Sequence, residues 1–218
     1  MIRTLIISFA LLCSMTSLVH ADNPYAKNPY ARGVNLNNFM YLDTKYGRAV
    51  IMLYPKKAPK HVERVKKLVK EKFYDGLKFH RVIHGFMAQT GDPTGTGAGG
   101  SKYEDLKAEF NDIPFNRGVI GAARTRVPHS ANSQFFICFQ AAHHLNGQYT
   151  VWGKVVHGME FIDQIKRGRG PSGMVVEPDT ITTMKLATDK EAGPPPVALQ
   201  QFMPGYDLQP RLKTLPRL

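Results

Sequence analysis

Cysteine is scarce in this chain, and what little there is does not pair. The 218 residues include only Cys13 and Cys138, and no C-x-x-C or H-E-x-x-H spacing occurs. A zinc site or a disulfide framework therefore has no motif to rest on. Gly-Lys-Ser/Thr is missing as well, which removes a P-loop. Acidic residues are few: 17 Asp and Glu face 29 Lys and Arg, for a formal net charge of +12. Such a balance suits anionic surfaces, whether phospholipid, cell-wall polymer or acidic protein. Nucleic acid is not an expected partner, because the basic residues are spread out, with no aromatic-interleaved or zinc-finger pattern. Their main cluster, Lys60, Arg64, Lys66, Lys67, Lys70 and Lys72, reads as the solvated face of a helix. No long internal repeat is found.

What is there begins with a leader. Met1-Ile2-Arg3 is a short positive start, Thr4 to Val19 is uncharged, and Val19-His20-Ala21 approximates an A-x-A cleavage site. A membrane anchor is the rival reading, but Ser8, Ser14, Thr16 and Ser17 dilute a stretch shorter than the roughly 20 apolar residues of a span. Residues 1–21 are expected to be a cleaved export signal, with Asp22 as the mature N-terminus. A bacterial periplasm is the expected compartment, although the signal alone also permits a eukaryotic secretory route. Cleavage leaves Cys138 without an intramolecular partner, so the exported domain must rely on its core. Lying in "QFFICF", Cys138 reads as a small buried hydrophobe.

Residues 22–35, with their tandem Asn-Pro-Tyr-Ala, read as a flexible linker. Residues 36–189 are expected to form the domain. "NNFMYLDTKYGRAVIMLYP" is two β-rich runs around Thr44-Lys45-Tyr46-Gly47, hence a hairpin. Pro59 opens a helix with Val62, Val65, Leu68, Val69 and Phe73 on one face. Short apolar runs follow at Phe79–Ile83, Phe86–Gln89, Gly118–Ala123, Gln134–Phe139 and Tyr149–Val156. A second amphipathic helix is expected through Met159, Phe161, Ile162 and Ile165, ended by Gly168, and "TITTMKLA" alternates like a last strand. The fold class is mainly β: a closed eight-stranded antiparallel barrel capped by two helices, since closure removes exposed strand edges. Residues 190–218 carry six prolines from Pro194 onward and read as a basic tail outside the core.

Gly95-Thr96-Gly97-Ala98-Gly99-Gly100 is a formal G-x-G-x-x-G. A dinucleotide site needs those glycines between a strand and a long helix, with an acid about 20 positions on. Here "SKYEDLKAEFNDIPF" follows, with Pro114 and no apolar stripe, and "GVIGAA" supplies no acid. A flexible loop that lets backbone approach backbone or a ligand is the reading that stands.

Three blocks carry more information: "FHRVIHGFMAQ", "ARTRVPHSANSQFFICF" and "HLNGQYTVWGKVVHGMEFIDQI". Together they resemble the cyclophilin family of peptidyl-prolyl isomerases over roughly residues 38–188, and the glycine run fits that family's loop beside the peptide groove. The resemblance implies an isomerase without metal or cofactor, acting on proline-containing peptides; with the export signal, unfolded exported proteins are the expected clients. Weak contact with an anionic membrane or cell-wall surface and a monomeric state are further expectations.

Such an enzyme lowers a barrier of about 18–20 kcal/mol for rotation about an Xaa-Pro bond. Rotation by 90° breaks resonance and returns a lone pair to the proline nitrogen. A donor aimed at that lone pair stabilises only the twisted state, and such selectivity accelerates the step. The resemblance makes Arg81 the donor; in isolation an arginine on a strand would more readily pair with a carboxylate. By the same resemblance Phe86, Met87, Phe136 and Leu145 line the proline pocket, with Tyr149 at its edge. Gln89 fixes the peptide backbone, and Gly95, Ala123, Arg124, Thr125 and His144 complete the binding positions. Two departures matter. Tyr149 stands where many eukaryotic relatives have histidine, and a phenol can still donate. His144 stands where the best-known members have the tryptophan that binds cyclosporin, so poor inhibition is expected, at micromolar levels or weaker.

Two rival readings follow from the residues. His129, His143 and His144 near Cys138 would be a metal site, but adjacent histidines on a strand or turn point apart. A barrel that only holds proline-rich or unfolded segments is the other, and a peptide isomerisation assay separates it from an enzyme.

Overall fold

The computed structural model describes residues 35–193. The export signal, all but one residue of the linker, and the tail from Pro194 onward lie outside the described residues. Eight strands form one antiparallel sheet: β1 (Phe39–Thr44), β2 (Gly47–Leu53), β3 (Arg81–Ile83), β4 (Met87–Thr90), β5 (Val119–Ala122), β6 (Phe135–Cys138), β7 (Val151–His157) and β8 (Thr183–Leu186). Their spatial order is β3-β4-β6-β5-β7-β2-β1-β8. Each expected apolar run supplies a strand, and the expected hairpin is β1–β2, paired from Phe39–Met52 to Thr44–Gly47.

Helix α1 spans Pro59–Lys70. Its periodicity buries Val62, Val65, Leu68 and Val69, with the lysines outside. Truncating Leu68, which is wholly buried, should cost about 2–5 kcal/mol. The preceding Ala58 offers no side-chain cap. Glu109, far away in sequence, does so instead: its carboxylate accepts the backbone N–H groups of Lys60 and His61, both at 3.0 Å.

Two expectations need correction. The barrel is not closed: β3 and β8 end the order and share no ladder among the described residues. The sheet is a curled half-barrel, and the free edge of β3 is covered by an irregular segment, residues 168–175. That segment exchanges hydrogen bonds with β3 and the residue before it, Gly168 N to Val82 O at 2.8 Å, Val82 N to Gly173 O at 2.7 Å and Val175 N to His80 O at 3.1 Å. An edge can thus be satisfied without closure. The second helix, α2, is one turn, Met159–Ile162. After it, Gln164 and Ile165 bond three residues back rather than four, a tightening that ends the α-helix early. Ile162 and Ile165 are still buried. Lys190–Ala192, expected in the tail, is a 3-10 turn that packs Ala192 with Phe39, Tyr41 and Val50.

Strand alternation divides the sheet. Val82, Ala88, Ile120, Phe135 and Ile137 point into the main core with α1. Met87, Val119, Phe136 and Cys138 belong to a second apolar cluster with Phe115, Ala123, Leu145 and Val151. This period of two places an apolar platform on the face away from the main core.

Candidate active site

The platform's geometry follows from register. Arg81 pairs with Gln89, Gln89 with Phe136, and Phe136 with Gly121, so one row crosses four strands. Arg81, Phe86, Met87, Gln89, Ala123, Arg124, Phe136, Leu145 and Tyr149 enclose one cavity of about 180 Å³, a size for one small ring rather than a drug-sized ligand. Met87 and Phe136 are buried in its floor, at 1% and 5% exposure. Phe136 stacks on Phe115 with centroids 5.6 Å apart and meets Tyr149 edge-on at 5.7 Å. Gly121 allows this packing, since a Cβ there would lie 2.5 Å from Phe136 Cζ and 2.7 Å from Phe115 Cε1. Arg124, itself held by its Nη2 bond to Gln148 O at 2.8 Å, lies over the Tyr149 ring at 4.4 Å, so the ring is packed between a cation and Phe136.

Arg81 is half-buried at the cavity wall. Its Nε donates to Ser172 O at 2.9 Å and its Nη1 to Gln89 Oε1 at 3.2 Å. These bonds fix the plane of the guanidinium, and Nη2 has no hydrogen-bond partner among the described residues. Burial pulls the pKa of Arg81 below its ordinary value, but a guanidinium stays charged at any working pH.

Of the sequence candidates, three lie outside this cavity. Thr125 is on the wall of an adjoining cavity of about 600 Å³, with Gln89, Gly97, Ala98 and Gln134. Gly95 lines neither cavity. It sits in a turn folded back on Asp92, where its φ of +68° suits glycine and its N–H reaches Asp92 O at 3.2 Å. His144 stands on a 3-10 turn (His143–Leu145), its ring tilted against Phe86 at 5.5 Å. Sequence reasoning missed Gln134, whose amide donates to Gly97 O and Gly99 O and accepts from Gln89. Alternation with Phe136 was the available signal. Ser172 contributes only a main-chain oxygen and left no signal.

The glycine loop directs its N–H groups inward. Asp92, 1% exposed, accepts Thr94 N at 2.7 Å, Thr96 N at 3.1 Å and Gly97 N at 2.6 Å, besides the Thr94 hydroxyl. Burial alone would raise the Asp92 pKa, but these donors hold it down at about 2. The loop's own carboxylate occupies the place a phosphate would need. The metal reading gains nothing either: His129 accepts Ala108 N, His143 faces Asn116, and Cys138 is buried. The described residues contain no group of three metal-capable side chains.

Arg81 is thus a fixed cation beside a ring-sized apolar hollow. The sequence matches the family described as cyclophilin type peptidyl-prolyl cis-trans isomerase/CLD over residues 39–186, and the chain belongs to that family. Its activity is peptidyl-prolyl cis-trans isomerisation. A probable peptidyl-prolyl cis-trans isomerase of Brucella suis is 48% identical over 171 residues, covering 73% of this chain and 87% of the relative. Peptidyl-prolyl cis-trans isomerase-like 3 of Rattus norvegicus is 42% identical over 58% of this chain and 80% of its own. Among solved structures, a Cryptosporidium parvum cyclophilin crystallised with the dipeptide Ala-Pro superposes with a TM-score of 0.64 at 28% identity, covering 68% of this chain and 98% of that one. The Hirschia baltica cyclophilin AquaCyp293 gives 0.64 at 26% identity, over 71% of this chain and 76% of that one.

Proposed function

We propose that Arg81 is the catalytic donor of this isomerase and that the 180 Å³ hollow seats the substrate proline ring. The observation carrying this reading is the divided fork: Nε and Nη1 are held by the protein, and Nη2 is left for the substrate. As the imide twists, its nitrogen gains a lone pair that Nη2 can meet, while the planar ground state offers none. Met87, Phe136 and Leu145 give the ring contact and dehydration, and Phe86 and Tyr149 border it. Gln89, Ala123, Arg124, Thr125 and the glycine loop are the binding positions for the flanking peptide. No covalent intermediate, metal or cofactor enters the step.

A peptide isomerisation assay tests this. Arg81→Ala should stay folded and lose at least 100-fold in kcat/KM, about 2.7 kcal/mol of transition-state stabilisation. Arg81→Lys should lose nearly as much, because a point charge cannot keep both tethers and still serve the imide. Equal rates for wild type and Arg81→Ala would reject the assignment.

The wider reading is that a chain processed before Asp22 acts as a monomer on unfolded exported proteins in a bacterial periplasm. It would aid their folding there, with its basic surface in weak contact with anionic membrane or cell wall. The leader pattern and the +12 charge support this. Periplasmic fractionation with N-terminal sequencing tests it, and an unprocessed cytoplasmic chain would overturn it.

A further inference from the structure

Arg81 Nε is not held by another side chain of the sheet. It donates to the carbonyl oxygen of Ser172, in the segment 168–175 that covers the free edge of β3. That strap is itself tightly located. Gly168 N and Gly173 O bond the two main-chain groups of Val82, the residue next to Arg81, at 2.8 and 2.7 Å. Arg169 N reaches Met174 O at 3.2 Å, closing the strap into a loop of its own. Its fit depends on glycine. A Cβ on Gly168 would sit 1.9 Å from Gly173 O, and one on Gly173 would sit 2.4 Å from Ile83 Cγ1, at a φ of +70° that disfavours other residues. Ser172 itself is exposed; its hydroxyl accepts Met174 N at 3.5 Å within the strap, and Arg81 is held through its main-chain oxygen.

We propose that the strap is a positioning element for catalysis: through the Ser172 carbonyl it sets the rotation of the Arg81 guanidinium, and thereby the direction in which Nη2 points. This rests on Arg81 being the donor. Gln89 alone holds one corner of the fork and leaves the plane free to turn about it. The Ser172 contact supplies the second corner, and two bonds from a rigid planar group define its orientation. A donor misaimed by about 1 Å forfeits much of its effect on a transition state, on the order of 100-fold.

The test is a set of variants assayed for kcat and KM on one Xaa-Pro peptide. Gly173→Ala and Gly168→Ala should lower kcat at least tenfold with KM within about twofold, because the apolar hollow is untouched. In an Arg81→Ala background Gly173→Ala should cause no further loss. A Gly173→Ala enzyme with full kcat, or one that loses the same factor in the Arg81→Ala background, would overturn the proposal while leaving Arg81 as donor. If Arg81→Ala alone is fully active, the donor assignment fails instead. Should the glycine variants not fold, the wild-type protein decides by NMR. The Arg81 Nε–H signal, identified by its loss in Arg81→Lys, should be protected from solvent exchange. An Nε–H exchanging as fast as those of exposed arginines would refute the contact.

Discussion

Oε1 of Gln89 lies 3.2 Å from Nη1 of its cross-strand partner Arg81, and that one contact sets the direction of a longer chain. A guanidinium can only donate, so Gln89 must turn its oxygen to Arg81 and its NH2 to Gln134 Oε1, 2.9 Å away. Gln134 must then turn its own NH2 to the carbonyls of Gly97 and Gly99, at 3.0 and 2.8 Å. The cation is thereby tied to the glycine loop through two amides. Gln89→Glu, almost the same shape, should be at least as harmful as Gln89→Ala. A carboxylate would accept from Arg81 but has no proton for Gln134, and it would neutralise the charge presented to substrate. Gln89→Ala removes a hydrogen bond to a charged group, worth about 1.5–3 kcal/mol, so a drop of roughly 10- to 100-fold in kcat/KM is expected there, and no smaller a drop in Gln89→Glu. Near-wild-type activity of Gln89→Glu in the peptide assay would contradict the chain's polarity.

Gly121 gives a second prediction, through sterics alone. Its Cβ would overlap both Phe136 and Phe115, and of the two Phe136 is the one that lines the cavity. Gly121→Ala should push that ring into the hollow, raising KM several-fold. Such overpacking should also cost about 1–3 kcal/mol of stability, read by urea unfolding. Unchanged KM would mean that the ring yields away from the cavity.

Much of this was legible from residues. β-rich and short apolar runs, alternating in the last one, marked all eight strands, and the helical spacing of Val62 to Val69 marked α1. The register that aligns Arg81, Gln89, Phe136 and Gly121 is a long-range property, so sequence could nominate those residues but not place them in one row. The failures share a cause. Short α2, the open edge at β3 and the Ser172 carbonyl all depend on main-chain hydrogen bonds in irregular segments, which side-chain patterns do not encode. Gly95 was named by the resemblance alone, and the structure adds that Asp92 holds the loop's N–H groups from beneath.

His144 makes a prediction about inhibition. It is exposed on its 3-10 turn, and its ring leans on Phe86 at 5.5 Å instead of lining the cavity. An imidazole offers less flat apolar area than an indole, so cyclosporin should bind at micromolar affinity or weaker. His144→Trp should tighten it at least tenfold, or about 1.4 kcal/mol, by calorimetry. Nanomolar binding to the wild-type protein would refute this.

Stability should fall on mild acidification because of the buried histidine beside the carboxylate that caps α1. His61, 2% exposed, places Nδ1 2.6 Å from Glu109 Oε2, and its Nε2 is buried without a partner among the described residues. Burial lowers the His61 pKa below 6.5, outweighing the nearby carboxylate, which acts the other way. His80, also buried, is lowered by the same cause. A histidine held neutral when folded contributes stability that is complete above its unfolded pKa and is lost as pH falls below it. Burial would raise the Glu109 pKa, but the N–H groups of Lys60 and His61 hold it below 4.5, so its contribution is lost at lower pH still. Unfolding free energy from urea melts should therefore be flat from pH 8 to about 6.5 and decline by pH 5.5, where carboxylates are still ionised. His61→Asn keeps a donor near Glu109 and cannot titrate, so it should flatten that decline. Glu109→Ala should cost about 1–3 kcal/mol at pH 7 by removing the cap and orphaning Nδ1. Stability that rises between pH 7 and 5.5 would show that His61 takes up its proton more readily in the folded state than in the unfolded chain.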